Sequence, residues 1–237
     1  MENFKEKYLL RPFAGLRPTP DLAQHVVAPP YDVVNTEEAK ALARNKPWSF
    51  LHISKPEIDL PPGTDVFSNQ VYAKARQNFD RMLGEGVLKR DSKDYYYIYR
   101  IQMEKHIQTG IVGAGSIEAY EHNLIRRHEY TRPDKETDRV RQIDALNAQT
   151  GPVFTTHKHD DALQNIIYRT VSGDADYHVV GDDAVEHTLW VVRDQIDIAE
   201  ITRGFNRLGV IYIADGHHRS AAAARVAAAR NNTTDNP

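Results

Sequence analysis

The stretch VIYIADGHHRSAAAARV at 210–226 constrains this chain more than any other part of it. Val210–Ala214 is branched, aromatic and apolar, which predicts a short buried strand. The alanine-rich run after Ser220 predicts a helix, because alanine loses least on entering one. Between them stand Asp215, Gly216, His217, His218 and Arg219, five consecutive polar or flexible residues that packing does not explain. A strand, a glycine turn and a helix in that order make an anion site. The first N–H groups of the helix have no internal partner, and the helix dipole adds about half a positive charge there. Gly216 lets the backbone approach a phosphate closely. Arg219 offers a bidentate clamp and Ser220 a hydroxyl. Asp215, at the strand end, is placed to orient a histidine or to hold magnesium. The competing reading is a plain strand–helix turn, with Asp215 as a cap and solvated histidines.

A second constellation runs from Arg126 to Arg139, RRHEYTRPDKETDR, with five cations, four acids and one histidine in fourteen residues. Pro133 fits the first turn of a helix and Thr131 its cap. Arg126, Arg127 and Arg132 then crowd a helix N-terminus, which suits the dipole poorly unless an anion sits there. Arg127, His128, Glu129, Arg132 and Lys135 are therefore candidate substrate ligands, against the alternative of a solvated charged helix start. A third stretch, NAQTGPVF at 147–154, offers Asn147, Gln149 and Thr150, which suit a small polar ligand or the backbone of a turn equally well. In a fourth, APPYD at 28–32, Asp32 is a candidate base or metal ligand, or simply a turn acid.

Other chemistries fit less well. The chain has no cysteine, so disulfides, thiolate metal sites and a cysteine nucleophile are excluded. His217 and His218 are adjacent and cannot share a helix face as a metal pair does, and no carboxylate completes a zinc set with His157 and His159. No phosphate loop of the G-x-x-x-x-G-K-[ST] type is present. A net charge of −3 over 237 residues gives no global basic field, which argues against nucleic acid and anionic membranes as partners. No apolar run reaches the roughly 18 residues that span a bilayer, and the N-terminus lacks the apolar stretch of a secretion signal, so a cytoplasmic location is expected.

Elsewhere the pattern alternates between helix and strand, which predicts a mixed α/β fold without internal repeats or linkers. Val26–Val33 reads as a strand entering a rigid turn. Asn35 or Thr36 caps a helix over about 36–45, with Glu37 and Glu38 in its first turn. Ser49–Ser54 reads as a strand. Phe67–Glu85 reads as a helix with Val71, Ala75, Phe79 and Met82 on one face. Asp94–Glu104 and Gln108–Tyr120 read as paired strands, Lys135–Leu146 as a charged helix and Pro152–His157 as a strand. A helix at Asp160–Thr170, strands at Tyr177–Gly181 and Glu186–Arg193, and a helix capped by Asp194 lead to Val210. The polar NNTTDNP tail suggests that a further C-terminal region belongs after it.

IADGHHRSAAA resembles the strand–turn–helix signature of the ParB/sulfiredoxin superfamily, whose turn binds nucleotide phosphates. Its DGHHR form resembles the branch of free L-serine kinases, which phosphorylate the amino acid's hydroxyl from ADP or ATP. Four blocks together resemble a large bacterial family linked to that branch: RPFAGLRP at 11–18, VAPPYDVV at 27–34, RHEYTRPDKETDR at 127–139 with LNAQTGPVF at 146–154, and ADGHHR at 214–219. The resemblance implies a ParB/sulfiredoxin-like core, with most of 35–205 inserted into it, and a longer protein. It implies a nucleotide and phosphate role for Gly216, His217, His218, Arg219 and Ser220, with Asp215 and His217 also catalytic. It further implies an early carboxylate as general base, for which Asp32, Glu37 and Glu38 are available.

The function so expected is nucleotide-dependent phosphoryl transfer, with ADP or ATP and magnesium, to a small hydroxyl compound, best represented by free L-serine. Two other classes stay open: a nucleotide-binding regulatory or DNA-associated module of the ParB kind, and a protein that binds a small anion without turning it over.

Overall fold

The computed structural model describes residues 8–234. Two short strands, β1 (Leu10–Arg11) and β2 (Leu16–Pro18), open the chain. Helices α1 (Ala23–Val26), α2 (Thr36–Ala43), α3 (Leu51–Ser54) and α4 (Asn69–Gly84) follow, with a 3-10 turn at Pro56–Asp59. Next come β3 (Leu88–Arg90), the hairpin β4 (Tyr96–Met103) and β5 (His106–Val112), β6 (Ala114–Gly115), α5 (Ile117–Glu121) and β7 (Ile125–Arg126). The remainder runs α6 (Pro133–Leu146), β8 (Phe154–Thr156), α7 (Asp161–Val171), β9 (Tyr177–Val180), β10 (Glu186–Val192), α8 (Gln195–Leu208), β11 (Ile211–Asp215) and α9 (His217–Thr234). The fold is mixed α/β, as the sequence predicts. No helix among the described residues is long and apolar enough to cross a membrane.

The largest sheet is an antiparallel array in the order β5-β4-β10-β9. Tyr96, Ile98, Trp190 and Val192 from its two central strands bury against Leu163 and Ile166 of α7 and Ile198, Ile201 and Phe205 of α8. The same core takes in Ile211 and Ile213, so β11 is anchored by one face. β11 is the middle of a three-stranded sheet, parallel to β7 and antiparallel to β8. A second core gathers Phe79, Met82 and Ala75 of α4 with Val26, Ile53 and Leu146, and a third gathers Ala39, Ala43, Leu51 and Ile58. All four residues assigned to the inner face of α4 are buried.

The first block, RPFAGLRP, is a structural lock. Arg17 donates both arms of its guanidinium to Asp91 (2.8 and 2.5 Å) and a third bond to the Tyr177 hydroxyl (2.7 Å). Tyr97 donates to the same carboxylate at 2.6 Å and accepts from the Gly15 N–H at 2.7 Å. A Cβ on Gly15 would stand 2.5 Å from the Tyr97 hydroxyl, so only glycine fits. This network ties the N-terminal strands to both the main sheet and β3.

Three expectations are corrected. Ser49–Ser54 is not a strand, because Leu51–Ser54 is a single helical turn. Leu51 faces the third core and Ile53 the second, so one turn held between two cores imitates the alternation of a strand. Val26 is likewise the end of α1 rather than part of a strand; it joins the second core while Ala28 packs on the third. Only the first part of Gln108–Tyr120 pairs with β4; Ser116 then caps α5 by accepting from the Ala119 N–H. The caps of α2, α7 and α8 are Asn35, Asp160 and Asp194, each with a side-chain oxygen on a first-turn N–H.

Candidate functional site

Gly216 has φ +94°, a conformation costly for any side-chain-bearing residue, and helix α9 starts at the next residue. The first intrahelical bond runs from the Ser220 N–H to the Gly216 carbonyl (3.0 Å), which leaves the N–H groups of His217, His218 and Arg219 ahead of it. Arg219 folds back over the turn. A Cβ on Gly216 would meet its guanidinium at 3.1–3.2 Å, and one on Gly151 would meet it at 3.3 Å. It donates to the Asp215 carboxylate at 2.5 Å and to the Pro152 carbonyl at 2.5 Å. The GPVF part of the third stretch thus reaches the turn through backbone, at Gly151 and Pro152.

Helix α6 lies beside α9 and runs in the same direction. The Arg132 N–H donates to His218 Nε2 at 3.1 Å where the two helices start. Ile143 packs on Ala222 and Val226 further along, and Arg230 donates to Asn147 at 2.8 Å near the far end of α6. Parallel neighbours bring two positive dipole ends together. The two ends differ in what faces them. Asp134 and Glu136 stand in the first turn of α6; burial raises the Asp134 carboxyl, but Arg132 and the Lys135 N–H together outweigh it and hold it below its usual range. The first turn of α9 has no acid. The carboxylates near the α9 end come from Asp215, before the helix, and from Glu129 of another segment.

His217 is the group buried at that end, with a side chain only 4% exposed. Its ring packs edge-on against His128, with centroids 4.6 Å apart, and Glu129 Oε2 lies 3.6 Å from its Nδ1. Its Nε2 is buried and has no hydrogen-bond partner among the described residues. Such an orphan nitrogen costs about 1–3 kcal/mol unless a ligand satisfies it. His218 differs. Because Nε2 accepts from Arg132, its proton sits on Nδ1 and its role is to join the two helices.

Two of the five cations of the second constellation are ion-paired. Arg132 binds Asp134 at 2.7 Å and Arg139 binds Asp138 at 2.6 Å, which relieves the electrostatic conflict at Arg132 alone. Arg127 lies over the Tyr120 ring, 5.4 Å from its centroid. Thr131 is not the cap of α6: its hydroxyl is turned to Glu136, and Arg132 occupies the cap position with no side-chain bond. Lys135 has neither an ion-pair nor a hydrogen-bond partner through its side chain among the described residues.

One helical turn into α6, Lys135, Asp138, Arg139 and Gln142 form one wall of a cavity of about 300 Å³. Its other walls come from Tyr31 and Asp32, from Ser54–Glu57 and from α4 through Tyr72. Arg139 stacks on Tyr31, 3.9 Å from the ring centre, and Asp138 accepts from the Tyr72 hydroxyl at 2.7 Å. Burial raises the Tyr31 phenol; Arg139 and Arg219 pull against it while Asp32 and Asp138 add to it. Burial and the bond to Asp138 also raise Tyr72.

The sequence candidates are thus distributed as follows. Asp215, Gly216, His217, His218, Arg219 and Ser220 form the turn, with His128 and Glu129 against it. Asp32 and Lys135 line the cavity. Glu37 lines a separate hollow of about 230 Å³, and Glu38 is occupied in the capping box of α2. Asn147 closes α6 at φ +50° and holds Arg230, while Gln149 points to solvent. Two features escaped the sequence reading. Glu129, not Asp215, stands beside His217, and Tyr72, Ser54 and Lys55 join the cavity from segments that carry no motif. Among the described residues no group of three or more His, Asp or Glu stands ready for a metal.

No curated protein and no solved structure matches the chain. A family match covers residues 10–237, nearly the whole length and all four motif blocks, under the description "Protein of unknown function (DUF1015)". The chain belongs to the DUF1015 family.

Proposed function

We propose that the chain is a nucleotide-dependent phosphotransferase, with the nucleotide phosphates at the α9 N-terminus and a small hydroxyl compound, free L-serine in the first instance, as acceptor. The observation that carries this reading is the buried, unpartnered Nε2 of His217 at a helix start that has no acid of its own. Phosphoryl transfer needs mainly positioning and charge neutralisation, which the free N–H groups, the dipole and Arg127 supply. Arg219 acts by holding the turn in shape through Asp215 and Pro152. His217, with Glu129 behind its Nδ1, is suited to take the proton of the attacking hydroxyl as the new P–O bond forms and the bond to the departing nucleotide breaks.

Magnesium would arrive on the nucleotide, since it keeps few protein ligands. Asp215 is the carboxylate at hand; Arg219 engages its Oδ2, and its Oδ1 could meet the ion. The test is product analysis with ADP and with ATP against L-serine, together with calorimetry of each nucleotide on the parent chain and on Arg219→Ala. O-phosphoserine from either donor is the expected result. Its absence with both donors refutes the serine reading, and normal nucleotide affinity in the variant refutes the assignment of the turn.

A further inference from the structure

The cavity beside the turn has a charge pattern that names its ligand. Its charged walls are three cations, Lys55, Lys135 and Arg139, and three carboxylates, Asp32, Glu57 and Asp138. Two of each are matched within the protein: Lys55 with Glu57 at 3.1 Å and Arg139 with Asp138 at 2.6 Å. One ammonium, Lys135, and one carboxylate, Asp32, are left without an ion-pair or hydrogen-bond partner for their side chains among the described residues. Ser54 adds a buried hydroxyl that also lacks a partner.

We propose that this cavity binds a small zwitterion, with Lys135 receiving its carboxylate, Asp32 its ammonium, and Ser54 a further polar group. A nucleotide phosphate is a poor occupant, because a wall with no net positive charge cannot repay its desolvation. A net-neutral ligand with separated charges satisfies both unmatched groups at once. Its size is also right, since about 300 Å³ holds an amino acid. Lys135 stands one turn from the joined helix starts, so the bound molecule borders the turn. The proposal rests on the phosphotransferase reading only for what happens to the ligand, and its binding is testable without a nucleotide.

The experiment is calorimetry on the full chain with three probes that share a hydroxyl: L-serine, L-glycerate, which keeps its configuration and replaces the ammonium by a hydroxyl, and ethanolamine, which lacks the carboxylate. L-serine is expected to bind about tenfold or more tightly than either, since each analogue leaves one charged partner unmet. Lys135→Met should weaken L-serine about tenfold and leave ethanolamine unchanged, and Asp32→Asn should weaken L-serine and improve L-glycerate relative to it. Both residues are exposed, and unchanged thermal midpoints would show the variants folded. Equal or tighter L-glycerate binding, an unchanged L-serine affinity in Lys135→Met, or no saturable binding of any probe overturns the proposal. L-serine binding without phosphoserine formation would leave this inference standing while refuting the phosphotransferase reading.

Discussion

Replacing Gly216 with alanine tests the turn on which the site depends. At φ +94° a side chain is strained, at a cost of about 1–3 kcal/mol. The new Cβ also meets the Arg219 guanidinium at 3.1–3.2 Å, which must give by a few tenths of an ångström. That loosens a hydrogen bond to the Pro152 carbonyl, worth at most about 1 kcal/mol. It also loosens an ion pair whose Asp215 partner is 71% exposed, worth under about 1 kcal/mol. The expected loss is about 2–4 kcal/mol, or roughly 5–15 °C in the midpoint of a chain this size. Thermal and urea unfolding followed by circular dichroism measure it. Gly84→Ala is the matched control. Gly84 ends α4 at negative φ with nothing within 4 Å of the added Cβ, so the same change should raise stability by at most about 1 kcal/mol. If Gly216→Ala costs less than about 1 kcal/mol, or if the two variants shift alike, the turn is not held in the conformation described.

Two further outcomes follow from buried polar groups. His217→Leu removes a nitrogen that has no partner, so the ligand-free chain should keep its stability within about 1 kcal/mol or gain some, while nucleotide binding is lost; a loss above about 3 kcal/mol would mean the nitrogen is satisfied after all. Arg17→Ala strands Asp91 in the lock and should cost about 3 kcal/mol. Burial raises the Asp91 carboxyl, but the hydrogen bonds from Arg17 and Tyr97 and the charge of Arg17 outweigh it and hold the carboxyl below the usual value of 3.8. Asp59, bonded by His52 and Asn78, is lowered in the same way against its own burial. With folded values depressed, the unfolded chain binds more protons as pH falls. The contribution is whole above the ordinary aspartate range and disappears below it. Urea unfolding between pH 7 and 3 should therefore show stability falling toward acid, with a shallower fall in Arg17→Ala; parallel slopes would exclude Asp91 as a source.

Local chemistry made much of this protein legible. Gly216 followed by an alanine run can only turn and enter a helix, and Asn35, Asp160 and Asp194 cap their helices because the capping bond spans two or three residues. The inner face of α4 follows from its spacing alone. Where the reading failed, as at Leu51 and Ile53, two separate cores took residues from opposite sides of one turn, and no local pattern encodes that.

The sequence by itself determined the fold class and the strand–glycine–helix turn at Asp215–Arg219, since each depends on neighbours in the chain. Only the tertiary structure decided the partners: Glu129 beside His217, Arg219 spent on Asp215 and Pro152, and a charge-balanced cavity assembled from four distant segments. The physical reason is that a charge acts through distance and burial. Whether a given Arg or Asp is free to meet a ligand depends on which opposite charge the fold has already brought within about 4 Å of it.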